Sequence, residues 1–228
     1  MPRSHTLISS LLPEFLDAWP WVAGMLVVIL LVILLRRKFC PSLKCATSGR
    51  GVHRVLRRAL NPEQYRVLGN LLLPDGKGGL TQIDHVVLSP FGIFVIETKV
   101  WSGRVFGTEN DAQWTVNLPG GRRQTGNPLV QNANHVRVIQ ELLEADPQHC
   151  HNLVFITSSA VLKSGPVPGV FQAGLIKHVL TFVEPVLAPG RVAAAADLLK
   201  RASLAEDPRA RAAHRQQIRA RRKVRDIS

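Results

Sequence analysis

The feature that most limits what this chain can become is a pair of apolar, β-branched runs, Ile83 to Leu88 and Ile93 to Ile96, on either side of Ser89-Pro90-Phe91-Gly92. Runs of this kind around a Pro/Gly turn predict a β-hairpin. Symmetric closure pairs Leu88 with Ile93 and, stepping outward, sets Asp84 opposite Glu97 with Cβ atoms about 5 Å apart on one face. Lys99, two residues beyond Glu97, returns to that face. Regular alternation places Ile83, Val87, Phe94 and Ile96 on one side and Val86, Leu88, Ile93 and Val95 on the other. Strands apolar on both sides need helices on both sides, hence an α/β domain. His85 is expected to point away from Asp84, as a packed or surface histidine.

Two opposed carboxylates repel, and burying them costs several kcal/mol without compensation. A hard divalent cation such as Mg²⁺ (or Mn²⁺) takes carboxylate oxygens and keeps several waters, which would satisfy Asp84 and Glu97 together and leave Lys99 to position a water. The spacing Asp-x12-Glu-x-Lys therefore suggests metal-assisted phosphodiester hydrolysis. A salt bridge at the rim of a sheet is the structural alternative.

Further along, Trp101 to Gly107 and Gln113 to Val116 read as short strands, with Trp101 and Trp114 as packing residues. Arg104, Arg122 and Arg123 lie near the acids in sequence and are candidate phosphate contacts, against a solvated loop. Asn127-Pro128 predicts a helix start, N-cap followed by proline. Gln131 and His135 stand one turn apart on it, so both face the cleft or both face solvent. Leu153 to Ile156 predicts a buried strand, and Arg191 to Ala202 a helix. From Pro208 to Arg225 arginine and alanine dominate, with too few apolar residues for a core face, which predicts a solvated helix or a disordered basic tail.

Before the hairpin, Val52, Val55, Leu56 and Leu60 recur at helical spacing, with Arg54, Arg57 and Arg58 on other faces. Earlier still, Trp19 to Leu35 carries no charge and as a helix would span roughly 25 Å. Trp19 and Trp21 at one end, and Arg36, Arg37 and Lys38 at the other, predict a single-pass anchor with the following domain in the cytoplasm. The expected layout is a short segment 1–18, a transmembrane helix 19–35, a basic linker 36–50, a globular domain 51–205 and a basic tail 206–228. A formal net charge of +13 over 228 residues points to a polyanionic partner, nucleic acid or an anionic membrane face. Three cysteines without framework spacing argue against a disulfide scaffold.

The run Thr81-Gln82-Ile83-Asp84-His85-Val86-Val87, then Gly92 to Lys99, then Gly103, Trp114 and Asn127-Pro128-Leu129-Val130-Gln131-Asn132, resembles the nuclease-related domain (NERD) family of the PD-(D/E)xK, restriction-endonuclease-like superfamily. The resemblance covers roughly residues 48 to 160. It implies a restriction-endonuclease-like mixed sheet flanked by helices, here preceded by one transmembrane helix. It also implies Asp84 and Glu97 as metal ligands, Lys99 as the catalytic lysine, Gln131 as an accessory site residue, and a nucleic acid, DNA by expectation, as substrate. The family usually carries a Gly-Glu pair in its first helix. The segment that aligns is Gly51-Val52-His53-Arg54-Val55, with Val52 where the glutamate is expected. That departure leaves open an inactive module that binds nucleic acid at the membrane.

Overall fold

The computed structural model describes residues 22–30, 49–118, 120–156 and 160–225, the last five by main chain alone. The chain divides into two units, Met1–Pro41 and Ser42–Ser228. In the first, residues 22–30 form helix α1, with apolar side chains from Val22 to Leu30 largely exposed. Residues 19–21 and 31–35 of the expected transmembrane segment lie outside the described residues. Among the described residues no helix is long and apolar enough to cross a membrane.

The second unit holds helices α2 (Gly49–Ala59), α3 (Pro128–Leu143), α4 (Leu175–Val179), α5 (Pro189–Ala202) and α6 (Pro208–Arg225). Its strands are β1 (Arg66–Pro74), β2 (Leu80–Ser89), β3 (Gly92–Lys99), β4 (Gly103–Phe106), β5 (Gln113–Leu118), β6 (Gly121–Gly126), β7 (Cys150–Ile156), β8 (Ala160–Leu162) and β9 (Val170–Phe171). They make a five-stranded mixed sheet, β1-β2-β3-β7-β9, and a four-stranded one, β6-β5-β4-β8. Strand β3 lies in the middle of the first, antiparallel to β2 and parallel to β7. Leu88 pairs with Ile93 as the turn predicts.

Helices cover both faces. Val136, Val138 and Ile139 of α3 with Val192, Ala196 and Leu199 of α5 pack on Val86, Leu88, Ile93 and Val95. On the other face Val52 and Leu56 of α2 with Leu175 and Val179 of α4 pack on Val87, Phe94 and Ile96. Trp114 and Val116 of the second sheet meet Val154 and Ile156 of β7 in a third cluster. Each fully buried aliphatic or aromatic side chain stabilises by about 1.5–3 kcal/mol, so these layers fix the position of β3.

The expected alternation fails at one place. Ile83 shares a cluster with Val86, not with Val87, and in β1 Leu68 shares that cluster with Leu71 and Leu73. Residues three apart cannot lie on one face of a regular strand. Both strands therefore shift phase between the pairs Gly69↔His85 and Leu71↔Ile83, where Asn70 adopts φ 55°. Asparagine tolerates that left-handed conformation better than most residues. Asp84 sits opposite Asn70 at this break.

One further expectation is corrected and one is refined. Residues 121–126 form strand β6, unforeseen because Arg122, Arg123 and Gln124 are exposed on it and give no apolar alternation. The basic tail forms a helix with most of its described side chains exposed, the solvated-helix alternative, but it is docked on the domain rather than free. Ala210 is buried, Gln217 Oε1 accepts from the amide of Leu80 at 3.1 Å, and His214 Nδ1 lies 3.1 Å from the Leu80 carbonyl. A small residue and two polar contacts dock α6 where an apolar stripe is missing.

Candidate active site

Asp84, Glu97, Lys99 and Gln131 converge at one end of the central sheet. Glu97, on β3 and only 5% exposed, accepts from Lys99 Nζ at 2.7 Å and from Gln131 Nε2 at 3.0 Å, both at Oε1. Lys99 Nζ also donates to Gln131 Oε1 at 2.7 Å. Lysine, glutamate and glutamine thus close a three-membered ring of hydrogen bonds. Charge-assisted bonds of this kind are stronger than neutral ones. Asp84 stands apart from that ring, its Oδ2 accepting the backbone amide of Thr98 at 2.9 Å.

Helix α3 brings Gln131 to the ring because asparagines pin it at two points. Asn127 caps the helix, accepting from the amide of Leu129, while its Nδ2 reaches the carbonyls of Thr108, Glu109 and Asp111. Asn132, fully buried, approaches the Val95 and Leu153 carbonyls at 2.8 and 3.0 Å and Asn152 Oδ1 at 2.7 Å. It ties the helix across β3 and β7. Asn132 belongs to the motif quoted above, but a buried cross-link cannot be told from a surface asparagine by sequence.

His135 also faces the cleft, so the one-turn pairing with Gln131 resolves inward. Its Nδ1 lies 3.5 Å from Glu97 Oε2, close without forming a hydrogen bond. Burial lowers its pKa to about 4, against the pull of Asp84, with Lys99 adding to the fall. It is therefore neutral near pH 7. Asp84 moves the other way, up to about 6, because burial and the like charge of Glu97 outweigh the Thr98 amide, Lys99 and His135. The acid pair carries repulsion that its own neighbours do not cancel.

Two cavities meet at Asp84 and Gln82. One of about 500 Å³ is lined by Glu97, Gln131 and His135 with Arg137, and by His214 and Ile218 of α6. The other, of about 960 Å³, is lined by Arg50, His53, Arg54, Arg57 and Arg58 of α2, and by Gly69 and His85. His85 is buried under His53, the rings 5.7 Å apart and near-parallel. Its packed role is as expected.

Val52, where the glutamate is expected, brings no acid to this site. Val52 is fully buried among Leu56, Phe94 and Ile96, whereas the next residue, His53, lines the cavity with Asp84. Glu63 is exposed in a turn, its amide bonded to Asn61 Oδ1, and lines neither cavity. Arg104, Arg122 and Arg123 are exposed on the second sheet and likewise line neither. Cys40 and Cys45 lie outside the described residues.

Asp84 and Glu97 offer hard oxygen donors, and among the described residues no group of three or more His, Cys, Asp or Glu side chains could hold a metal ion alone. Two carboxylates with water or phosphate completing the shell suit Mg²⁺, which is held that way in many phosphoryl sites, better than a closed zinc site.

An acid on one strand facing Glu-x-Lys on the next, in a helix-covered mixed sheet, belongs to the PD-(D/E)xK-like nuclease superfamily. Residues 48–157 match the nuclease-related domain (NERD) family, which belongs to that superfamily. An uncharacterised protein of Bacillus anthracis is 36% identical over 108 residues, 47% of this chain and 50% of that protein. A probable kinase of Streptomyces coelicolor, PglW, is 32% identical over 81 residues, 35% of this chain and 5% of that protein. The chain thus spans half the length of the first relative and a small part of the second. No solved structure matches.

Proposed function

We propose that this protein is a membrane-anchored, metal-dependent nuclease that hydrolyses phosphodiester bonds of nucleic acid, with DNA as the expected substrate. The observation that carries the reading is the hydrogen-bonded ring of Lys99, Glu97 and Gln131 beside Asp84. Asp84 and Glu97 would hold Mg²⁺ or Mn²⁺, and when bound the ion supplies charge stabilisation to the phosphate. Glu97 fixes the ammonium of Lys99 at the mouth of the site, where it can orient a water for attack. Gln131 holds Lys99 and Glu97 in register through its two amide atoms. His135, neutral near pH 7, adds no positive charge beside the two acids.

For the anchor, support comes from the charge-free run 19–35 and from the exposed apolar side chains of α1, which a bilayer would cover. The basic residues that follow would hold the nuclease domain on the cytoplasmic side.

The test is nicking of supercoiled plasmid with Mg²⁺, Mn²⁺ or chelator, alongside Asp84→Ala and Lys99→Ala. Metal-dependent nicking absent from both variants is the expected result. A second reading, an inactive module that holds nucleic acid at the membrane, is favoured by one feature: α2 presents His53, not an acid, to Asp84. Salt-dependent binding of DNA and RNA with no cleavage of either would select it.

A further inference from the structure

Helix α2 is amphipathic in an unusual sense. Val52 and Leu56 are buried, while Arg50, Arg54, Arg57 and Arg58 are exposed. Positions 50, 54, 57 and 58 follow the i, i+4, i+7, i+8 spacing of a single helical face. No salt bridge engages any of them among the described residues. Four guanidinium groups at close quarters repel one another unless an anion lies between them. They do not lie on a flat surface: all four line the 960 Å³ cavity whose remaining wall holds Asp84, its single carboxylate.

We propose that this arginine face of α2 is the docking surface for the phosphate backbone of a single-stranded segment of nucleic acid, leading it across Asp84 to Glu97 and Lys99. The proposal rests on the nuclease reading of the Asp84 site. Three features favour this occupant. The arginines complement a polyanion, and guanidinium pairs with phosphate in bidentate fashion. The surface is concave and shared with an acid, which a planar lipid surface would not enter. The cavity lies within the roughly 300–1,000 Å³ of small-ligand pockets, space for a few nucleotides of one strand but not for a duplex. Glu97, only 5% exposed, lines the adjoining 500 Å³ cavity, which meets the arginine cavity at Asp84 and Gln82.

The test uses the full chain in chelator, so that binding is read without metal-dependent cleavage. Fluorescein-labelled single-stranded DNA and its duplex are titrated over a series of salt concentrations. The quadruple variant Arg50→Gln/Arg54→Gln/Arg57→Gln/Arg58→Gln should bind single strands at least about tenfold more weakly, with the slope of log K against log salt reduced by about 2 to 3. Arg104→Gln/Arg122→Gln/Arg123→Gln should bind as the wild type. Should the quadruple variant fail to fold, Arg54→Gln alone should lower the slope by about 0.7, and Arg54→Lys should restore it.

Unchanged affinity and slope in the α2 variants overturn the proposal. So does tighter binding of the duplex than of the single strand. Loss of binding to phosphatidylserine vesicles with oligonucleotide binding intact overturns it in favour of a membrane surface. The two readings fail separately. Arginine-dependent binding without plasmid nicking removes the nuclease and keeps this surface, whereas nicking with arginine-independent binding does the reverse.

Discussion

The backbone amide of Thr98 donates to Asp84 Oδ2 at 2.9 Å, so the carboxylate of one strand is held by the main chain of the next. Asp84→Asn can keep this bond through its amide oxygen while losing the charge. That makes it a cleaner probe than alanine, which leaves the amide of Thr98 without its partner. Cleavage should be abolished with the fold intact.

The same variant should be the more stable protein in chelator. Because the pKa of Asp84 rises from 3.8 to about 6 on folding, the folded state holds its proton more tightly than the unfolded one. Stability is therefore lost as pH climbs from about 4 to about 6, and the cost is complete above that, with an upper bound of about 2 to 3 kcal/mol. Denaturant midpoints for Asp84→Asn should exceed the wild type at about pH 7.5 and converge with it near pH 4. Equal midpoints at both would show that the acid is not strained.

The histidines set the opposite limb. Burial lowers the pKa of His85 and of His135 to about 4, below the ordinary 6.5. Their unfolded forms take up protons that the folded forms refuse, so stability falls as pH drops from about 6.5 towards 4. Neither ring nitrogen of His85 has a hydrogen-bond partner among the described residues. His85→Leu should flatten this acid limb and add about 1 kcal/mol near neutral pH, read by urea unfolding at several pH values.

Lys99 and Gln131 should separate in kinetics. Removing the ammonium with Lys99→Ala should lower kcat by about 10²-fold or more, since on the proposed mechanism it takes away the group that orients the attacking water. Gln131→Ala leaves the ammonium present but loosely held, and should cost about tenfold. Single-turnover cleavage of labelled DNA distinguishes the two. An equal loss in both variants would make Gln131 more than a positioning residue.

Gly69 and His53 form a pair that can be tested by suppression. A Cβ at residue 69 would lie 2.6 Å from His53 Nδ1, a clash with a ring already stacked on His85. Gly69→Ala should cost about 1 to 3 kcal/mol, and His53→Ala should relieve most of that cost in the double variant. Additive losses in thermal unfolding would rule out the contact.

The turn Ser89 to Gly92 fixes the β2–β3 register as far as His85↔Ile96, so counting from it brings Asp84 to the end of that ladder, near Glu97. Gln131 followed from resemblance. Regular alternation puts Ile83 on the wrong face because the phase shift at Asn70 and Asp84 involves both strands, and an asparagine in a strand gives no sign that it will turn left-handed. Val52 is buried in the core while His53, about 100° further round the helix, lines the cavity with Asp84, a difference that only the sheet beneath makes visible. Docking of α6 rests on Ala210, whose single methyl gives no hydrophobic signal.

The central place of β3 has a consequence for synthesis. Its antiparallel partner β2 is next to it in sequence, but Glu97 is also level with Val154 of β7, and Gln131 and His135 arrive on α3 between them. The hairpin can form as soon as it leaves the ribosome, whereas the parallel pairing must wait for a distant segment. A nascent chain ending before Cys150 would carry both acids and the lysine without the strand that encloses them. Enclosure of Glu97 thus waits on the synthesis of β7, although its own hairpin is long since made.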